Sequence, residues 1–172
     1  GDGSRAIFIN LQIKTFYWKS TQDYRKKIND TDDAISEALK RVDHLIHVSL
    51  KYTKTVDVIR NTLLRLLEAC DLIIIEGLEY KKKKKKIKAI PSTPQERADL
   101  LYKLFKKKTL IKQHLEFFHL LRKIKMSNYN KQGEYRKNVA MLVLDEKDTF
   151  LEIDYETLKS YHTKTQDFVN FM

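Results

Sequence analysis

Apolar residues recur along most of the chain at the spacing of α-helices. In the first such stretch they follow one another at steps of three, four or seven residues: Ile28, Ile35, Leu39, Val42 and Ile46. Residues at these steps lie on one face of a helix. The pattern therefore predicts a first helix from about Thr21 to about Tyr52.

A stricter alternation of three- and four-residue steps predicts a second helix. Its apolar seam consists of Val56, Ile59, Leu63, Leu66, Cys70, Ile73 and Gly77. This is the pattern of a helix packed along antiparallel neighbours. Leu64, Leu67 and Ile74 widen the face, so we expect this helix to be central. Cys70 lies in the seam and is interpreted as a small core residue, because a buried thiol reacts little.

The most specific local signal starts a third helix. Thr93 precedes Pro94, and Glu96 follows at the third helical position, a capping arrangement that satisfies free amides at a helix start. The apolar residues that follow share one side: Leu101, Leu104, Ile111, Leu115, Phe118 and Leu121. Residues 127–130 are polar and are expected to end or loosen this helix.

Strand-like patterns occur near both ends of the chain. Residues 139–144 and 149–153 are β-prone runs around a four-residue loop, which predicts a hairpin. Apolar residues alternate at positions 7–13, a candidate third strand for that hairpin. Asp154 is expected to cap a last helix with an apolar face of Leu158, Tyr161, Thr165, Phe168 and Met172.

These elements predict a mainly α fold: one domain, residues 1–172, forming a bundle of three long helices and a C-terminal helix with a small β-hairpin. Only 4 Gly and 2 Pro occur, which suits long helices with few turns. The single cysteine excludes a disulfide within the chain, and no signal-peptide pattern or long apolar run is seen. We therefore expect a cytoplasmic protein without a membrane span.

Positive charge is concentrated in one part of the chain. The net charge is +11, and residues 81–137 hold 19 Lys or Arg against 4 Asp or Glu. Seven of these lysines fall within residues 81–88, which we predict to be part of a solvated connector at 81–91. Such polarity favours nucleic acid or another polyanion as partner. The alternative is a solvated, lysine-rich surface without a partner.

The predicted nucleic-acid-binding residues are the lysines of this connector and five basic residues of the third helix: Lys81, Lys82, Lys83, Lys84, Lys85, Lys86, Lys88, Lys103, Lys106, Lys107, Arg122 and Lys123. Tyrosines are interleaved with them: Tyr80, Tyr102, Tyr129 and Tyr135. A tyrosine ring can stack on an exposed base while lysine holds phosphate; the alternative for Tyr102 and Tyr135 is core or rim packing. No glycine-rich phosphate loop occurs, so we predict no nucleotide cofactor.

Three runs of the sequence resemble a family of archaeal helical proteins of uncharacterised activity: SLKYTKTVDVI at 49–59, IPSTPQER at 90–97 and EYRKNVAM at 134–141. The overall plan also bears a weak resemblance to HEPN-type helical bundles, a family associated with RNA binding and metal-independent RNA cleavage. That family uses an Arg followed a few residues later by His. Arg136 does not fit this pattern, because Met141 stands where the His would follow. The resemblance therefore implies Arg41 and His47 as the candidate catalytic residues.

Geometry argues against catalysis or metal binding at these positions. Residues six apart on a regular helix point about 120° apart, so Arg41 and His47 would converge only at a frayed helix end or across a dimer. Asp43 or His44 shares a face with His47, but two ligands do not make a metal site, and none is predicted. His114 and His119 point about 140° apart, and His162 is isolated, which favours a structural role.

The sequence thus supports three functional hypotheses. The leading one is a non-catalytic protein that binds RNA or DNA without sequence specificity. The second is a protein-interaction or scaffold module whose connector meets an acidic partner and whose second helix meets a partner helix. The third is a HEPN-type ribonuclease. Self-association is also predicted, from the wide apolar faces of the first two helices.

Overall fold

The structure, a computed structural model, describes residues 30–172. The chain divides into two compact units, Gly1–Ala34 and Ile35–Met172. In the first unit only residues 30–34 are described, and they are helical. The predicted strand at residues 7–13 and the predicted start of the first helix near Thr21 lie outside the described residues.

In the second unit, helix α1 covers residues 35–53 and contains a π-helical turn at Leu45–Ser49. Three residues of the predicted apolar face are buried, namely Ile35, Val42 and Ile46. The helix ends at Thr53, where Lys54 adopts a left-handed backbone conformation with φ of 52°. The predicted end near Tyr52 is confirmed.

Helix α2, Val56–Lys83, follows directly. Thr55 begins it, since its hydroxyl oxygen accepts a hydrogen bond from the Val58 amide at 3.4 Å. The Glu134 carboxylate accepts from the Val56 amide at 3.3 Å and so satisfies a second free donor of the first turn. The whole predicted seam is buried: Val56, Ile59, Leu63, Leu66, Cys70, Ile73 and Gly77.

The third predicted helix is two helices, α3 at Pro94–Phe105 and α4 at Leu110–Met126. Its start is as predicted, because the Thr93 hydroxyl oxygen accepts a hydrogen bond from the Glu96 amide at 3.2 Å. The break falls at residues 106–109, all exposed, where three adjacent lysines repel one another and no apolar side chain anchors the turn. The apolar spacing continues in phase across the break, so the sequence does not reveal it.

The sheet contains three antiparallel strands in the order β1-β2-β3: Asn128–Gln132, Ala140–Asp145 and Asp148–Ile153. The predicted hairpin is β2 and β3, with a tighter turn than expected, because Asp145 and Asp148 pair with each other. The third strand of this sheet is β1, which the sequence places only as the end of a helix. The sequence pattern does not indicate β1 because its residues are mostly exposed and polar. An edge strand with a solvated face shows little apolar alternation.

Asp154 begins helix α5, Tyr155–Phe171, as predicted, and accepts a hydrogen bond from the Thr157 amide at 2.9 Å. The predicted apolar face is buried at Leu158, Tyr161, Thr165 and Phe168. Met172 is 37% exposed, but its terminal methyl group lies against Gly77, where a Cβ atom would overlap it. The absence of a side chain at Gly77 therefore lets the end of α5 approach α2.

Helix α2 is the centre of the second unit, as predicted. It packs against α3, α4 and α5, against the π-helical turn of α1 and against β2. Its wide apolar face is thereby covered within the unit. The predicted self-association, which was inferred partly from that face, loses this support.

The described residues form five helices and a small three-stranded antiparallel sheet, and the mainly α fold predicted from the sequence is confirmed. Within residues 30–172, no helix combines the length and the apolar character that crossing a membrane requires.

Candidate nucleic-acid interface

The lysine run forms the C-terminal end of α2 and the residues directly after it. Lys81, Lys82 and Lys83 form the last helical turn, so the predicted connector starts inside the helix. The Lys85 amide donates a hydrogen bond to the Lys82 carbonyl oxygen and the Lys86 amide to the Lys81 carbonyl oxygen, both at 3.0 Å. These two bonds form a Schellman motif, in which Lys85 takes the left-handed position with φ of 58°.

This arrangement places the lysines where positive charge is favourable. The C-terminal end of a helix carries partial negative charge, which the nearby ammonium groups offset. Residues 82–86 and Lys88 are exposed, and Lys81 is half-buried. The connector therefore begins as an ordered helix end, and most of its lysines are exposed.

Phe105, at the end of α3, joins the connector to a second group of lysines. The ammonium nitrogen of Lys81 lies 4.7 Å from the centre of the Phe105 ring, and that of Lys108 lies 5.6 Å from the same centre. The turn between α3 and α4, which also holds Lys106 and Lys107, is thus adjacent to the end of α2. The fold brings together two lysine groups that are about 25 residues apart in sequence.

From this turn a cleft of about 580 Å³ runs between α3 and α4. Two predicted residues line it, Lys103 from α3 and Lys106 from the turn, and Lys112 lines it from α4. Tyr102 lies beside them with 44% of its surface exposed. The cleft therefore combines cations with an exposed aromatic ring, as a site for unpaired nucleotides requires.

Arg122 and Lys123, the other predicted residues, make contacts of their own. The Arg122 guanidinium donates a hydrogen bond at 3.0 Å to the side-chain oxygen of Gln95, at the start of α3. The Lys123 ammonium lies 4.5 Å from the centre of the Phe150 ring in β3. The predicted stripe therefore divides: Arg122 bridges α4 to α3, and Lys123 faces the sheet.

Carboxylates engage three other basic residues of the segment 81–137. Arg97 pairs with Asp71 at 3.4 Å, and Lys112 lies 3.9 Å from Glu116. Lys131 lies 3.3 Å from Asp57, and this hydrogen-bonded contact raises the pKa of the Lys131 ammonium. Arg97, Lys112 and Lys131 were not among the predicted binding residues.

His47 lines a second cavity, of about 880 Å³, between α1 and the start of α5. It lies in the π-helical turn, where its Nδ1 atom is 3.2 Å from the Tyr155 hydroxyl and its Nε2 atom is 3.6 Å from an Asp43 oxygen. Arg41 is exposed on α1 and is not among the residues that line this cavity. The described structure therefore gives the predicted Arg41–His47 pair no shared site.

The surroundings of the other histidines and the cysteine considered in the sequence analysis favour structural roles. His114 stacks on Phe168 at 4.9 Å, and burial lowers the pKa of its imidazole. Burial also lowers the pKa of His162, whose Nε2 atom finds no hydrogen-bond partner among the described residues. Burial raises the pKa of the Cys70 thiol to about 12, which agrees with a core residue. No cluster of three or more metal-ligating side chains occurs within residues 30–172.

Three residues of these surfaces were not predicted from the sequence. Lys108 and Lys112 belong to the same basic segment as the predicted lysines, so their charge was the available signal. Tyr155 is 108 residues from His47, and nothing in the spacing of either residue indicates that they meet.

Comparisons with protein-family models, with curated proteins and with solved structures find no match to this chain. The family resemblances inferred from the sequence therefore remain expectations.

Proposed function

We propose that the protein binds RNA or DNA without sequence specificity, through a basic surface made of two parts. One part is the connector at the end of α2, and the other is the α3–α4 turn with the adjoining side of α3. Phosphate attraction of this kind needs dense, accessible cations and no ordered reading of bases.

The observation that carries the proposal is the meeting of the two lysine groups at Phe105. Lys81 and Lys108 both lie over its ring, at 4.7 and 5.6 Å. Lysines that were separate in sequence thus act on one stretch of polyanion. Several phosphates contacted at once release several counterions, which makes binding tight at low salt and weak at high salt.

The test compares two variants that lose the same charge. The connector variant carries serine at four exposed positions: Lys82, Lys84, Lys85 and Lys86. The control variant carries serine at four exposed lysines outside the proposed surface: Lys40, Lys147, Lys159 and Lys164. Binding to labelled RNA and DNA oligomers is measured at low salt by fluorescence anisotropy.

We expect the connector variant to bind every oligomer roughly 10- to 100-fold more weakly than the intact protein, since it lacks several phosphate contacts. The control variant should lose much less, because only the overall charge changes. Equal losses in both variants would show that binding reflects net charge and would contradict the proposed surface.

The scaffold hypothesis receives less support. It requires the seam of α2 to meet a partner helix, but that seam is buried against other elements of the second unit. An acidic protein partner for the connector is still compatible with the same cations. Binding of an acidic polypeptide with no binding of oligonucleotides would favour that partner.

The ribonuclease hypothesis has one supporting observation, the contact of His47 with Tyr155 inside a cavity. Arg41, the cation that the family resemblance implies, does not line this cavity, although Lys51, Lys54 and Lys137 do. Incubation of single-stranded RNA with the protein and a chelator tests this hypothesis. Cleavage that persists unchanged in a His47→Ala variant would exclude it.

A further inference from the structure

We propose that the cleft between α3 and α4 is a nucleotide site, in which a single unpaired base stacks on Tyr102. This inference rests on the proposed nucleic-acid binding and names its ligand class: single-stranded rather than duplex nucleic acid. The cleft volume of about 580 Å³ lies within the range typical of pockets that hold small molecules.

The residues that line the cleft differ in character. Ala98 and Leu115 are apolar and almost fully buried. Tyr102 forms a wall and presents part of its ring to solvent. A base held there replaces water on apolar surface and stacks on an aromatic ring, two contacts that do not depend on which base is present.

Tyr102 is distinguished from the other tyrosines of the basic segment by its surroundings. Lys84 lies over the Tyr80 ring at 5.7 Å, and Arg60 lies over the Tyr129 ring at 5.1 Å. Tyr135 is exposed, but it belongs to the connection between β1 and β2. Tyr102 alone among these four lines the cleft that Lys103 and Lys106 also line.

Charge in the cleft indicates where the phosphates lie. Lys103 lies in the last turn of α3, and Lys106, the residue directly after α3, keeps a helical backbone three positions later, so the two share a face. Asp99 and Glu116 also line the cleft; Glu116 pairs with Lys112, whereas Asp99 accepts a hydrogen bond from the neutral Gln95 amide and keeps its negative charge. Phosphate is thus favoured on the side of Lys103 and Lys106, towards the turn and the connector.

A duplex does not fit this arrangement, because its bases are already stacked and paired. A single strand has bases free to enter the cleft while its backbone follows the lysines. The strand therefore makes two kinds of contact, with phosphates along the basic surface and with one base at Tyr102.

The experiment compares a single-stranded oligomer, the same strand without bases at its central positions, and the duplex. We expect the intact protein to bind the strand with bases roughly 5- to 100-fold more tightly than the abasic strand, the range expected for stacking of one base. A Tyr102→Leu variant should lose this preference, and Tyr102→Phe should retain it. Tyr135→Leu is the matched control and should behave as the intact protein.

Duplex affinity should be the same for all four proteins, since no base enters the cleft. Equal affinity of the intact protein for the strand with bases and the abasic strand would overturn the nucleotide site while leaving phosphate binding in place. Absence of binding to any of the three nucleic acids at low salt would overturn both proposals. The comparison of the strand with bases and the abasic strand needs only the intact protein, so the test stays decisive if a Tyr102 variant folds poorly.

Discussion

Single residues at helix ends shape the basic surface. Lys85 has φ of 58°, a conformation that glycine adopts without cost and that other residues adopt at a cost of roughly 1–2 kcal/mol. A lysine at this position maintains the charge of the connector while the Schellman hydrogen bonds fix the backbone. The charge is thus retained at a small expense in stability.

We predict that Lys85→Gly raises the free energy of unfolding by about 0.5–1 kcal/mol, because glycine removes the left-handed strain. Lys84→Gly should instead lower that free energy by a similar amount, since Lys84 has an ordinary φ of −74°. Urea unfolding followed by circular dichroism measures both changes. Stabilisation by both glycines, or by neither, would contradict the motif described at the end of α2.

At the scale of elements, the sequence predicts those parts whose signal is local. The capping residues Thr93 and Asp154 mark two helix starts, and the seam from Val56 to Gly77 marks α2. The break between α3 and α4 and the strand β1 were missed. The first interrupts no apolar periodicity, and the second is an edge strand whose partner, β2, lies across an intervening loop.

Two partly buried histidines make the packing of helix α5 dependent on pH. His162 lies on α5, with Asp43 and His47 of α1 acting on its charge, and His114 of α4 stacks on Phe168 of α5 near Asp167. Burial lowers the pKa of both imidazoles in the folded protein. The unfolded chain therefore binds protons first as pH falls below about 6.5, the ordinary histidine value.

We predict that stability is full above that pH and falls progressively below it, until the lowered pKa values of the folded state are passed. Urea unfolding at pH 7.5 and 5.5 measures the loss. A double variant, His114→Gln and His162→Gln, should lose less stability between these two pH values than the intact protein. Replacement of the exposed His44 by Gln is the control, and an equal effect of all variants would contradict the role of burial.

At the scale of the whole molecule, the sequence predicted where positive charge accumulates but not how the fold arranges it. Charge counts along the chain identify the segment 81–137. They do not show that Lys81 and Lys108 meet at Phe105, that Lys123 faces the sheet, or that Tyr102 lies in a cleft. These are contacts between elements, which depend on the packing of α3 and α4 against α2.

The most direct test of the central claim is the salt dependence of binding to a single-stranded oligomer. Each phosphate contact adds about −0.7 to the slope of log affinity against log salt concentration, so about five contacts give a slope of about −3.5. We predict a slope of this size for the intact protein, a slope shallower by about 2 to 3 for the connector variant, and little change for the control variant. The same slope for the intact protein and the connector variant would contradict the claim that the end of α2 binds the nucleic-acid backbone.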